Sequence, residues 1–265
     1  MQIAFCASIK NCGRYLTKIF QNIDLVRNDY DVSCVFVYDN CSDNSETLLK
    51  EYEKKYQNVY LKKIENKSPL RTVRIAKARN ECLNILYNEI GECEFHIMFD
   101  ADNVNSHSWN IDILKKYLNN FDNDDWDSIS FNRDRYYDIW ALLIDEYQYH
   151  CWGFGGKSSQ VIKFMGKYVS EKLKKSNTNS IYCNSAFNGF AIYKTEKFCG
   201  ITYDGTEEEF LKLIDLDKIK EGYKKTFGKL EYKGVFQQQC CEHLYYHLNA
   251  IKKNNCKIKI SKFMI

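Results

Sequence analysis

Glu94-Phe95-His96-Ile97-Met98-Phe99-Asp100-Ala101-Asp102-Asn103 is the stretch that decides how this chain is read. The apolar run from Phe95 to Phe99 has the length and composition of a buried strand, and in a strand Asp100 and Asp102 point to the same side. Two carboxylates at the carboxyl end of a strand make a site for a hard cation. Mg2+ and Mn2+ prefer oxygen ligands and bridge protein carboxylates to substrate phosphates, so the pair predicts a nucleotide diphosphate held through Mn2+ or Mg2+. The competing reading is a strand that ends in a solvated acidic turn.

Working outward, Ile3 to Ser8 predicts a first strand, followed by the turn Lys10-Asn11-Cys12-Gly13 and a helix carrying Tyr15, Ile19 and Ile23. Val32 to Tyr38 is a nearly continuous apolar run, the mark of a strand buried on both faces. It ends in Asp39-Asn40-Cys41-Ser42-Asp43-Asn44-Ser45, after which Leu48, Leu49, Tyr52 and Tyr56 mark a capped helix. Val59 to Ile64 predicts a third strand, and Arg71 to Ile90 a helix with Ile75, Cys82, Leu86 and Ile90 on one stripe. Strand and helix alternate up to Asp100, which predicts an α/β fold with a mainly parallel central sheet flanked by helices. Ligands of such sheets bind beyond the carboxyl ends of the strands. The tips Ser8, Lys10 and Asn11, Asp39 with Asp43, and Asp100 with Ala101 and Asp102 are therefore expected in one crevice.

Beyond Asn103 the pattern loosens. Trp109 to Phe121 predicts a helix, and Trp126 to Phe131 a strand with Arg133, Asp134 and Arg135 at its end. Tyr136 to His150 is rich in aromatics, Gly153 to Gly156 reads as a loop, and Lys157 to Lys175 as a basic helix with a mostly solvated face. Phe190 to Tyr193 predicts a strand entered through Asn188-Gly189, Thr206 to Lys225 a charged helix, and Gln237 to Asn249 carries Cys240-Cys241-Glu242-His243. No internal repeat or linker divides residues 1–265 into more than one domain.

Composition excludes more than it selects. A formal charge of +3 from 38 basic and 35 acidic residues gives no electrostatic footprint for nucleic acid. Residues 1–8 are too short for a signal-peptide core and no run approaches a membrane span, so the 12 cysteines are expected as reduced thiols in a cytoplasmic protein. Whether it forms a homo-oligomer is left open by the sequence.

Several residues have side chains suited to chemistry. Asp39 can accept hydrogen bonds from a base or ribose, or else form an Asx-turn. Arg71, Arg74, Lys77 and Arg79 crowd the start of a helix, where the dipole disfavours cations. A bound phosphate would account for them, and basic side chains lying over a surface are the alternative. His243 can complete a Mn2+ shell or sit in the core, while Glu242 can orient that ring or act as a base. His150-Cys151 and the Cys240 to His243 run raise zinc, but the paired spacing of structural zinc sites is absent. Asp138, Asp145 and Glu146 are further candidate bases, and Tyr136, Tyr137, Trp140, Trp152 and Phe154 can stack on sugar rings or pack a core.

Ser42-Asp43-Asn44-Ser45 after Asp39, Ala76-Lys77-Ala78-Arg79-Asn80, and Phe99-Asp100-Ala101-Asp102 together resemble a GT-A-fold glycosyltransferase. The likeness is to family-2-like and capsular mannosyltransferase-like enzymes and to uncharacterised glycosyltransferases of large DNA viruses. It implies a single Rossmann-like GT-A domain, with residues 1–103 binding a nucleotide sugar and residues 104–265 a glycan or glycoconjugate acceptor. By that resemblance Asp39 contacts the nucleoside, Arg79 and Asn80 line the donor pocket, Asp100 and Asp102 hold the metal with Asp102 more direct, and His243 completes the shell. With neither leader nor span read in the sequence, a reducing compartment is the expected place of action, the host cytoplasm or a viral factory. A nucleotidyltransferase and a non-catalytic carbohydrate-binding protein are the alternatives, although residues 7–11 lack the Gly- and Arg-rich loop of the former.

Overall fold

The computed structural model describes residues 1–119, 125–145, 158–228 and 238–265. Its strands are β1 (Gln2–Ile9), β2 (Asp31–Tyr38), β3 (Val59–Lys63), β4 (Phe95–Phe99), β5 (Ser128–Asn132), β6 (Ser180–Cys183), β7 (Phe190–Lys194) and β8 (Ile258–Met264). The helices are α1 (Gly13–Arg27), α2 (Ser45–Lys55), α3 (Arg71–Ile85), α4 (Ile111–Leu118), α5 (Ser158–Lys175), α6 (Glu207–Leu211), α7 (Leu216–Phe227) and α8 (Glu242–Asn254).

All eight strands join one sheet in the order β3-β2-β1-β4-β7-β5-β8-β6. The first four are parallel; β1, β2 and β4 are the largely apolar runs, and β3, with Lys62 and Lys63 exposed, is the edge. Then β7 runs antiparallel between β4 and β5, β8 returns parallel to β5, and β6 closes the edge antiparallel to β8. The result is an α/β fold with a mixed central sheet flanked by helices.

Alternation along β1 divides the core in two. Ile3, Phe5, Ala7 and Ile9 pack with α1, α2 and α4, while Ala4 and Cys6 face the layer holding α3, α5 and α8. Phe5 and Phe99 are both fully buried, and each contributes about 1.5–3 kcal/mol by removal from water. The aromatic cluster Phe5, Phe99, Trp109 and Phe190 seals the sheet directly beneath the Asp100 turn.

Four expectations need correction. Thr206 to Lys225 is two helices, because Asp215 caps α7 by accepting from the N–H groups of Asp217 and Lys218. The face of α5 formed by Val161, Met165, Val169 and Leu173 is buried, so this helix covers the sheet as well as meeting solvent. Tyr136 is only 1 % exposed and belongs to the core, not to a stacking platform. Helical pairing from Arg71 does reach Ile90, but its last turn, Leu86–Ile90, is π-helical.

Candidate functional site

Four strand tips meet where the sheet's parallel half ends. A cleft of about 380 Å³ is lined by Ser8 near the end of β1 and Lys10 and Cys12 after it, Asp39 after β2, Ile64 and Asn66 after β3, and Asp100, Ala101 and Asp102 after β4, with Arg71, Arg74 and Arg79 from α3. A second cavity, of about 420 Å³, adjoins it and adds Tyr137, Asp138, Trp140, Phe187, Cys241, Glu242 and His243. Arg71, Ile75, Arg79, Asp100 and Asp102 line both.

The Asp100 turn is tied from behind. Asn105 donates its side-chain amide to the carbonyls of Asp100 and Gly189, both at 2.7 Å, and accepts from Arg133. Arg133 also donates to the carbonyls of Val104 and Asn188. Gly189 holds φ at +83°, and a Cβ there would lie 2.5 Å from the Tyr137 hydroxyl, so only glycine lets that ring lie against the turn. The side chain of Asp102 accepts from the Val104 N–H at 2.9 Å, and its second oxygen has no hydrogen-bond partner among the described residues.

Charge at the turn is unevenly balanced. Arg79 is 3 % exposed and donates to Asp100 at 2.8 Å and to Glu242, with His243 Nε2 against the same guanidinium. Burial, then the charges of Asp102, Asp138 and Glu242, push Asp100 up to about 7 despite the nearby Arg79. Asp138 rises to about 6, through burial first and Glu242 second, opposed by the N–H groups of Ala141 and Asn188 and by Arg79. Burial and the Arg79 charge hold His243 well below its ordinary value, so its ring is neutral. It stacks on Phe187 at 3.8 Å, and Nδ1 has no partner among the described residues. Asp39 pairs with Lys10 at 3.1 Å; the Asn40 N–H and that ammonium outweigh partial burial and hold its carboxyl below the usual range.

The predicted residues separate into three groups. Ser8, Lys10, Asp39, Arg71, Arg74, Asp100, Ala101 and Asp102 line the first cleft. Arg79 reaches the shared wall and Glu242 and His243 the second cavity, but the three are engaged with one another. Asp43 and Asn80 line neither cavity: Asp43 accepts from the Gly13 N–H and from Ser45, and Asn80 clasps the backbone of Tyr203. Asp145 is paired with Lys172 and stands outside both cavities. Glu146, His150, Cys151, Trp152 and Phe154 lie outside the described residues. Among the described residues, no three His, Cys, Asp or Glu side chains are grouped to hold a metal, so Asp100, Asp102 and His243 do not form a closed set and no zinc cluster is formed.

Sequence reasoning missed Asn66, Asn105 and the tie made by Arg133. It also missed Gly205, whose carbonyl accepts from the Thr72 hydroxyl at 2.6 Å. A Cβ on Gly205 would fall 2.3 Å from the Thr72 backbone. Gly205→Ala is therefore expected to shift the first turn of α3, lowering stability by about 1–3 kcal/mol. Arg71 and Arg74 ride on that turn, so the shape of the first cleft should change with it. Thermal unfolding of the Gly205→Ala variant checks the loss of stability.

No protein-family model matches this sequence, and no curated protein matches it. Among solved structures, the crystal structure of S. aureus TarS 1-349 is similar at 14 % identity and TM-score 0.50, over 99 % of this chain and 60 % of that one. That of S. aureus TarS gives 14 % identity and TM-score 0.51, over 99 % of this chain and 35 % of the other. The chain thus spans less than two thirds of each of the TarS structures it resembles. A mannosyltransferase, PcManGT from Pyrobaculum calidifontis in complex with GDP-Man and Mn2+, matches at 13 % identity over 76 % of this chain and 47 % of that one, with a TM-score of 0.41 too low to carry an argument. At such identities the likeness shows the fold alone.

Proposed function

We propose that this protein is a metal-dependent glycosyltransferase of the GT-A type, moving a sugar from a UDP- or GDP-sugar to a hydroxyl on a glycan or glycoconjugate. The observation that carries the reading is the meeting of two cavities at Asp100 and Asp102. A transferase needs such an arrangement: a nucleotide site and an acceptor site facing each other across the atom that is transferred.

The residues present fit a divalent ion. Asp100 and Asp102 offer hard oxygen donors side by side where the two cavities meet, and the carboxylates of Asp138 and Glu242 line the same second cavity. Substrate phosphate oxygens would complete the set, and His243 could join only with Arg79 displaced from its Nε2. When bound, the ion supplies Lewis-acid neutralisation of the leaving diphosphate.

The chain's own residues do the rest. Asp39, flanked by Lys10, receives the nucleoside at the far end of the donor cleft. Arg71 has no ion pair or hydrogen bond among the described residues and lines both cavities, which suits it to the leaving phosphate better than Arg79, whose guanidinium is already committed. Tyr137 and Trp140 give the acceptor side aromatic surface. Of the candidate bases, Asp138 is the better placed for an inverting reaction, since it faces the second cavity and is held by backbone N–H groups, whereas Glu242 is paired with Arg79.

With Asp138 pushed up to about 6, it carries its proton below that value and is free to accept one above it. At saturating Mn2+, whose charge keeps Asp100 ionised and draws the Asp138 value down from about 6, turnover is expected to rise with pH through an inflection below about 6 and level off. Asp138→Asn should lower turnover by about 10²–10⁴-fold, and the residual rate should lack that inflection. The overall reading is tested by incubating the protein with Mn2+ and a panel of nucleotide sugars. Release of UDP or GDP supports transfer, release of pyrophosphate supports nucleotidyl transfer, and metal-independent or absent binding supports a non-catalytic protein. Among the described residues no helix is long and apolar enough to cross a membrane.

A further inference from the structure

A third cleft, of about 220 Å³, lies outside the donor and acceptor cavities. It is lined by Asp134 and Arg135 from the segment after β5 and by Ile162, Lys163, Gly166, Lys167 and Ser170 of α5. Two features make it a groove. Gly166 lets the helix approach the Tyr136 backbone so closely that an added Cβ would sit 3.0 Å from the Tyr136 carbonyl. Tyr136 itself is buried, which anchors Arg135 beside the helix.

The lining is strongly cationic. Lys163 and Lys167 stand four residues apart on α5 and share one helix face, opposite Arg135. The opposing acids are Asp134 on the wall and Glu171, which reaches Lys167 at 3.6 Å in an exposed pair of little strength. Arg135 and Lys163 have no ion pair among the described residues. The position of this groove gives it meaning: Asp134 and Arg135 wall it, while Tyr137 and Asp138, two and three residues further on, wall the acceptor-side cavity. One short segment therefore borders both.

We infer that the groove between Arg135 and α5 is an acceptor subsite for an anionic group, so that the acceptor is a phosphate-bearing glycan whose neutral sugar end enters the cavity at Tyr137 and Asp138. Guanidinium and ammonium groups facing each other across a cleft recognise phosphate oxygens by charge-assisted hydrogen bonds. This inference rests on the transferase reading for its identification of the neighbouring cavity, but the charge recognition it describes can be measured separately.

A matched pair of probes tests it: a phosphorylated oligomannose and the same oligosaccharide after phosphatase treatment, titrated against the full chain at low and moderate salt. The phosphorylated form is expected to bind about tenfold tighter or better, with the advantage shrinking as salt rises. The triple variant Arg135→Ser, Lys163→Ser, Lys167→Ser should erase that advantage while leaving UDP or GDP binding with Mn2+ intact. Equal affinity for the two probes overturns the inference, as does a preference the triple variant retains. Vesicles containing phosphatidylglycerol serve as a further arm; binding to them through the three cations without preference for the phosphorylated oligosaccharide also overturns it, in favour of a membrane-facing surface. Loss of nucleotide binding in the parent protein would count against the transferase reading, whereas intact nucleotide binding with no charge preference counts against the subsite alone.

Discussion

Asp102→Ala is expected to lower Mn2+-dependent release of UDP or GDP from a nucleotide sugar by about 10³-fold or more, the loss that follows when several kcal/mol of charge stabilisation disappear at the leaving group. The side chain stands at the junction of the two cavities, with one oxygen held by the Val104 N–H and the other uncommitted among the described residues. Removing it costs the short turn at Asn103–Asn105 its cap, worth about 1 kcal/mol, and leaves the aromatic cluster beneath untouched. Asp102→Asn separates the two roles. An asparagine oxygen can still accept from Val104, so stability should recover, but without the carboxylate charge the activity should not. Circular dichroism and thermal unfolding establish that both variants fold, and a coupled assay for released nucleoside diphosphate reads the effect. Turnover at the parent rate in either folded variant would take Asp102 out of the mechanism and leave the two cavities without a shared reacting centre.

Much of the N-terminal half was legible because its signals are local. Continuous apolar runs at Ile3, Val32 and Phe95 announce parallel strands, and the polar tips that follow them must meet at one edge. What was not legible depends on contacts between residues far apart in sequence. The strand Ile258–Met264 was missed because its charged residues disguise it. Lys259 is only 5 % exposed yet lies over the Tyr182 ring, so its aliphatic stem covers the sheet as a hydrophobic residue would. Gly205 carries no signal in its own neighbourhood, since the group it must accommodate is the Thr72 backbone. Arg79 was legible as a basic residue near the site but not as an internal counter-ion, because Glu242 lies 163 residues away in the chain. Likewise Asp43, placed by its neighbours at a ligand-binding tip, spends its carboxylate on the start of α1 and on Ser45.

Arg79 carries the largest expected effect on stability. Its guanidinium and the Glu242 carboxylate are only 4 % and 6 % exposed, and the same cation reaches Asp100 while lying over the Phe187 ring at 4.8 Å. Two charges in this position lose most of their hydration, so the pair holds the fold together only while both members are present. Arg79→Met keeps much of the side-chain volume but strands Glu242 without its counter-charge and removes the one opposing Asp100. The expected loss is about 3–5 kcal/mol, which in a chain of this length lowers the melting temperature by roughly 10 °C. Converting the stranded acid to its neutral isostere should recover a large part of that loss. The double variant Arg79→Met, Glu242→Gln is therefore expected to be more stable than Arg79→Met alone, a coupling that two independent contacts would not produce. Urea denaturation of the parent, both single variants and the double variant measures it. A loss below about 1 kcal/mol for Arg79→Met would mean that the guanidinium is not the counter-ion of this corner, and additive single effects would mean that it does not act through Glu242.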